Sequence, residues 1–109
     1  MCSSDLASSL ADAGATGPAK ADPAAAQLLQ SLRIDSEPAV RSNSAWSLGR
    51  LYPDLVEPRQ QAVVEALLHT LLHDGDPTVR DEARLALEQL EQPDVLDRLQ
   101  TLVDEGLIS

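Results

Sequence analysis

Aromatic residues are nearly absent from this chain of 109 residues, which has no Phe, one Trp and one Tyr. Because 43% of the residues are still hydrophobic, the core has to be built from Leu, Val and Ala. Side chains of this size suit closely packed helices. No segment shows sustained strand alternation, so we expect an all-α protein.

Cysteine and long apolar runs are also scarce. The single cysteine, Cys2, excludes an internal disulfide framework and favours a reducing compartment, so we expect a cytoplasmic protein. No run reaches the roughly 18 apolar residues that a membrane-spanning helix needs. The sequence therefore predicts no membrane partner.

Positive charge is in short supply as well. Eight Lys and Arg stand against 18 Asp and Glu, which gives a formal net charge of −10. Binding to nucleic acid needs a basic surface that neutralises phosphates, so we expect no nucleic-acid partner and exclude a DNA-repair glycosylase. A protein partner with a basic or neutral surface fits this charge better.

What the chain does have is an internal repeat. The segment EPAVRSNSAWSLGRL, residues 37–51, returns as DPTVRDEARLALEQL, residues 76–90, with a step of 39 residues from Pro38 to Pro77. A period between about 20 and 50 residues is typical of stacked repeats. Such repeats raise the question of a binding partner before that of an active site.

Prolines mark the predicted helices. A polar or acidic residue precedes a proline at five places, and proline is favoured at the first helical position because its missing N–H has no partner there anyway. The five places are Asp22-Pro23, Glu37-Pro38, Glu57-Pro58, Asp76-Pro77 and Gln92-Pro93. We therefore expect five helices in a repeat domain over residues 22–109. Residues 1–21, rich in Ala, Ser and Gly, are expected to form a flexible N-terminal tail.

Apolar stripes support these helices and suggest their order. The third helix carries a stripe too wide for one neighbour, so we expect it to lie between two layers. Gly106 is predicted to close the fifth helix in a left-handed conformation. We expect two antiparallel helix pairs with a leading half repeat, in an array short enough that self-association could cover its ends.

The repeated motifs resemble a known family. Asp35-x-Glu37-Pro38-x-Val40-Arg41, continued by AWSLGRL, resembles the first helix of a HEAT repeat, and the segment from Asp74 to Leu90 resembles the next. The wording around Trp46 is most similar to HEAT-like repeats of the phycobilisome bilin-lyase type. The chain departs from that type in its longer period and in Glu88, which stands where the first copy has Gly49. The resemblance implies a short α-solenoid.

The repeated arginines call for partners. Arg41 and Arg80 lie in the first turns of their helices, where a cation is unfavourable. We expect Asp35 and Asp74, or the matching loop of the adjacent repeat, to compensate, because a guanidinium offers a rigid fork to carboxylates and carbonyls. The HEAT resemblance implies an Asp/Arg ladder between repeats.

Residues that could support catalysis do not converge. His69 and His73 have the four-residue spacing that lets two imidazoles share a metal, but no Glu follows His69 as in a zincin. We interpret both as surface histidines near a helix C-terminus, which the helix dipole favours. No phosphate loop or nucleophile elbow is present. We therefore expect no catalytic residues, no metal and no cofactor, and hence no enzyme.

The sequence favours a non-catalytic adaptor, scaffold or assembly factor. Trp46 and its equivalent Leu85 lie outside the core stripes, so each either packs against a neighbouring repeat or forms part of a partner-binding surface. We name Trp46, Arg50, Arg84 and Leu85 as candidate partner-binding residues. The alternative, implied by the bilin-lyase resemblance, is an accessory subunit for bilin attachment or phycobilisome turnover. The two propionate groups of a bilin could be held by Arg50, Arg59 or Arg84.

Overall fold

Five α-helices build the described part of the chain. The structure, a computed structural model, describes residues 18–108, with side chains from residue 22 onward. The helices are α1 Pro18–Ile34, α2 Pro38–Leu51, α3 Glu57–His73, α4 Pro77–Gln89 and α5 Pro93–Asp104, and a short 3-10 turn, Tyr52–Asp54, follows α2. No strand occurs in the described residues. The five predicted helices and the short α-solenoid are thus confirmed.

Proline is the first residue of α2, α4 and α5, as predicted, whereas α3 begins one residue before Pro58. The predicted start of α1 was wrong, because this helix begins at Pro18 and contains Pro23 in its interior. Asp22, the acidic residue before Pro23, pairs with Arg59 of α3. The predicted tail, residues 1–21, lies mostly outside the described residues.

The helices pair through their short connections. α1 packs mainly on α2, and α3 packs mainly on α4, while α2 and α3 barely touch. The predicted leading half repeat is therefore wrong: the pairs are α1–α2 and α3–α4, and α5 is a trailing single helix. Three residues join the helices within each pair and five residues separate α2 from α3, but α4 and α5 are also joined by only three residues, so loop length alone does not set the pairing.

The two pairs stack side by side. α2 packs along α4 and α1 along α3, so α3 contacts both α1 and α4. The wide apolar stripe of α3 is thus met by two helices, while its predicted position between two layers stays a prediction. The core consists of aliphatic side chains, among them Leu32, Leu48, Leu67 and Leu87, which are almost completely buried. No helix in the described part of the chain combines the length and apolar character needed to cross a membrane.

One position of the repeated motif differs in burial between the two copies. Val40 and Val79 are equivalent residues of the repeated motif, yet Val40 is 38% exposed and Val79 is fully buried. The valine of the motif is therefore covered in the second copy and left partly open in the first. α4 packs against α2 of the preceding helix pair. α2 belongs to the first pair, so no described pair packs against its other side.

Two glycines are placed by geometry. Gly106 has φ +78°, which confirms the left-handed conformation predicted at the end of α5. Gly49 lies at a close approach of α2 and α4, since a Cβ atom there would be 3.2 Å from the Cβ of Ala86. Small residues at this crossing let the two helices pack closely.

Candidate functional site

The predicted ladder residues come together at one edge of the array, between the loops that close the two helix pairs. Arg41 donates from Nε to Asp74 Oδ2 at 2.9 Å and from Nη2 to Asp74 Oδ1 at 3.2 Å. Its Nη1 donates to the backbone oxygen of Asp35 at 2.8 Å. One guanidinium thus joins the loop of its own pair to the loop of the next.

Arg80 repeats half of this arrangement. Its Nη1 donates to the backbone oxygen of Asp74 at 2.6 Å, as Arg41 does to Asp35. Both aspartates also accept a backbone N–H two residues on, Asp35 from Glu37 and Asp74 from Asp76, each at 2.9 Å. Among the described residues, however, no carboxylate bonds to Arg80 as Asp74 bonds to Arg41.

Pairing of their charges shifts the pKa of both Asp74 and Arg41. Burial raises the pKa of the Asp74 carboxyl, but the hydrogen bonds from Arg41 and from the Asp76 amide outweigh it, so the pKa lies below its ordinary value. The hydrogen bonds to Asp74 raise the pKa of Arg41 further. Both groups are held in their charged forms. The hydrogen bonds between Arg41 and Asp74 thus stabilise the charged form of each group.

The histidines line the same edge. His69 and His73 share a cavity of about 310 Å³ with Asp35, Arg41 and Asp74, and their ring centroids are 4.7 Å apart. The described residues contain no group of three or more His, Cys, Asp or Glu arranged to hold a metal ion. The expectation of no metal site stays a prediction.

The second candidate surface is the outward side of α2 and α4, which we call the Trp46 face. It comprises Ser42, Asn43, Trp46 and Arg50 of α2 with Glu82 and Leu85 of α4. Trp46 is 44% exposed and Leu85 is 49% exposed, and the two occupy equivalent positions of the repeat. Since equivalent residues of stacked repeats point the same way, both side chains present apolar area on one side of the array.

Arg50 fixes one side of the indole. Its guanidinium carbon lies 5.0 Å from the centre of the Trp46 ring, a distance at which a cation is attracted to the aromatic face. The four-residue spacing on α2 brings these two side chains together. Arg50 thus lies against one face of the ring, while much of the side chain stays open to solvent.

The alternatives for Trp46 and Leu85 are packing against a neighbouring repeat and a place on a partner-binding surface. Trp46 does line a cleft shared with α4, together with Ser42, Asn43 and Glu82, but it is not enclosed between repeats. Leu85 is not covered by α5, since it is exposed. Sequence reasoning missed Ser42, Asn43 and Glu82. The signal was available, because these residues precede Trp46 or Leu85 by three or four positions on the same helix face.

Arg84, the fourth candidate, lies elsewhere. It lines a cavity on another side of α4 with Leu71, Arg80 and Leu107, and it donates to Glu88 at 3.4 Å. The structure therefore does not place Arg84 on the Trp46 face.

The arginines considered for a bilin are also dispersed. Arg59 is bound to Asp22 through two hydrogen bonds, at 2.9 and 3.2 Å, on the α1–α3 side of the array. Arg50 lies over Trp46, and Arg84 lies in the cavity near the end of the chain. The three guanidinium groups do not converge on one cleft, so they do not form a joint site for two propionates.

Comparison with known proteins identifies the repeats. A family model described as HEAT repeats matches residues 25–107. No curated protein and no solved structure matches the chain. The match covers the stacked helices as a whole, and it gives no support to the narrower similarity to bilin lyases.

Proposed function

The chain belongs to the HEAT-repeat family, and we propose that it is a non-catalytic protein-interaction module, a small adaptor, scaffold or assembly factor. HEAT repeats generally mediate contacts between proteins, because stacked helix pairs present an extended surface. The proposed binding surface is the Trp46 face. The observation that carries the proposal is the exposure of Trp46 and Leu85 at equivalent positions on neighbouring helices.

The Trp46 face exposes a side chain of a kind that is enriched in protein interfaces. Exposed tryptophan is a frequent anchor in interfaces, because its large ring buries much area at little cost in side-chain entropy. Trp46 is further held by Arg50, so it loses less freedom on binding. The ladder residues, by contrast, are satisfied within the array and serve its rigidity.

Partner capture with matched variants tests this function. We expect the intact protein to retain a discrete partner that Trp46→Asp and Leu85→Asp lose while both variants keep the helical circular dichroism of the parent. The control is Leu96→Asp, the same change at a residue of α5 that is 43% exposed and lies off the Trp46 face. Equal loss in all three variants, or no loss in the first two, would remove the Trp46 face as the binding surface.

A further inference from the structure

We propose that the cleft between Trp46 and Glu82 binds a lysine or arginine side chain of the partner protein. This inference rests on the proposed function and makes it more specific, since it names the residue type that the Trp46 face recognises. The cleft has a volume of about 250 Å³ and is lined by Ser42, Asn43, Trp46 and Glu82. It lies where α2 and α4 pack against each other.

Glu82 provides the first argument. Its side chain is half-buried at the cleft, and among the described residues no hydrogen bond or ion pair reaches its carboxylate. Partial burial of an ionised carboxylate is unfavourable unless a cation or a donor compensates. No basic side chain lines the cleft. The missing compensation is what a cationic ligand would supply.

Trp46 provides the second argument. An aromatic face attracts ammonium and guanidinium groups, and the long aliphatic stem of Lys or Arg packs well against a ring. Arg50 already uses such an interaction at this indole, yet it is not one of the residues that line the cleft. An exposed indole beside an uncompensated carboxylate therefore matches both parts of a basic side chain.

A second cavity adjoins the cleft along α2. Ser42 and Asn43 also line this second cavity of about 460 Å³, together with Pro38, Asp76 and Thr78. A groove thus runs along α2 from Trp46 toward the start of the helix, with one carboxylate at each end. Neither cavity is lined by a basic residue. A basic segment of the partner fits this groove by charge.

Fluorescence of Trp46, the single tryptophan of the chain, gives a local readout. The probes are three 12-residue peptides without aromatic residues, in which alanine alternates with lysine, glutamine or glutamate. We expect only the lysine peptide to change the emission saturably. Glu82→Gln should weaken its binding by about threefold or more, as expected for loss of one favourable ion pair. Glu65→Gln is the matched control, an exposed mid-helix glutamate on α3 that does not line this cleft.

The outcomes separate the two proposals. Equal weakening by Glu82→Gln and Glu65→Gln would show that the peptide responds only to the overall negative charge, and the lysine site would be wrong. Equal binding of the glutamine and lysine peptides would overturn it too, as would no response of Trp46 to the lysine peptide. If a captured partner needs Trp46 and Leu85 but binds Glu82→Gln as tightly as the parent, the interaction module stands and only the cationic site fails.

Discussion

Arg41 of α2 binds the carboxylate of Asp74 through two hydrogen bonds, at 2.9 and 3.2 Å, across the boundary between the two helix pairs. Both side chains are largely shielded from solvent. The parallel arrangement of two donors and two acceptors fixes direction as well as distance, which a single lysine could not do. This contact sets the loop of one pair against the loop of the next and supports the side-by-side position of α2 and α4.

Removal of Arg41 should therefore destabilise the array more than removal of Arg80. Arg41→Ala removes bonds to two loops and leaves Asp74 without its cation, whereas Arg80→Ala removes one bond to a backbone oxygen. We expect thermal melting to fall by roughly 5 °C or more for Arg41→Ala and by clearly less for Arg80→Ala. Arg98→Ala, an exposed arginine of α5, serves as the control. Unchanged melting of both ladder variants would contradict the ladder.

Acid should weaken this contact. The pKa of Asp74 is lower in the folded chain than in the unfolded chain, where an Asp titrates near about 3.9. Its contribution to stability is then complete above the unfolded pKa and is lost as the pH falls through the lower folded pKa. The difference in free energy of unfolding between the parent and Arg41→Ala should shrink from about pH 6 to about pH 2 in urea titrations. A constant difference would show that Asp74 is not the group involved.

Much of this fold follows from the sequence alone. The repeat between residues 37–51 and 76–90 sets the period, and the prolines mark the starts of α2, α4 and α5 within the motif. Asp74 was one of the partners expected for Arg41, because a cation in the first turn of a helix needs compensation. Local chemistry of this kind depends on few neighbours. It can therefore be inferred without coordinates.

The pairing of the helices depends on the rest of the array. An apolar stripe shows which face of a helix is covered, but it does not name the helix that covers it. Val40 and Val79 illustrate this limit, because the same residue in the same motif is exposed in α2 and buried in α4. Likewise, the cleft between Trp46 and Glu82 exists only because α2 and α4 lie side by side.

Zinc should leave the stability of the protein unchanged. His69 and His73 can offer two imidazole nitrogens, but a structural zinc site takes four ligands, and no suitable group of three is present in the described residues. We expect neither added zinc nor a chelator to move the melting temperature. A rise with zinc that disappears in His69→Ala would instead establish a metal site at this edge.

Gly49 should not tolerate a side chain. A Cβ atom there would lie 3.2 Å from the Cβ and 3.4 Å from the Cα of Ala86, so Ala86 has to shift by a few tenths of an ångström for a methyl group and by more for a longer side chain. Gly49→Gln should lower the free energy of unfolding by about 1–3 kcal/mol, the usual cost of overpacking. The gain of up to about 1 kcal/mol from replacing glycine within a helix offsets only part of this cost.

The repeat supplies the matched control for this change. Glu88 is the equivalent of Gly49 in α4, and its side chain is exposed. Glu88→Gln places the same residue at the same step of the repeat, and we expect a change within about 0.5 kcal/mol. The free energy of unfolding of Gly49→Ala should lie between those of Gly49→Gln and Glu88→Gln, because one methyl group requires a much smaller shift of Ala86. Equal stability of Gly49→Gln and the parent in urea titrations would mean that α2 and α4 do not pack as closely as the contact between Gly49 and Ala86 requires.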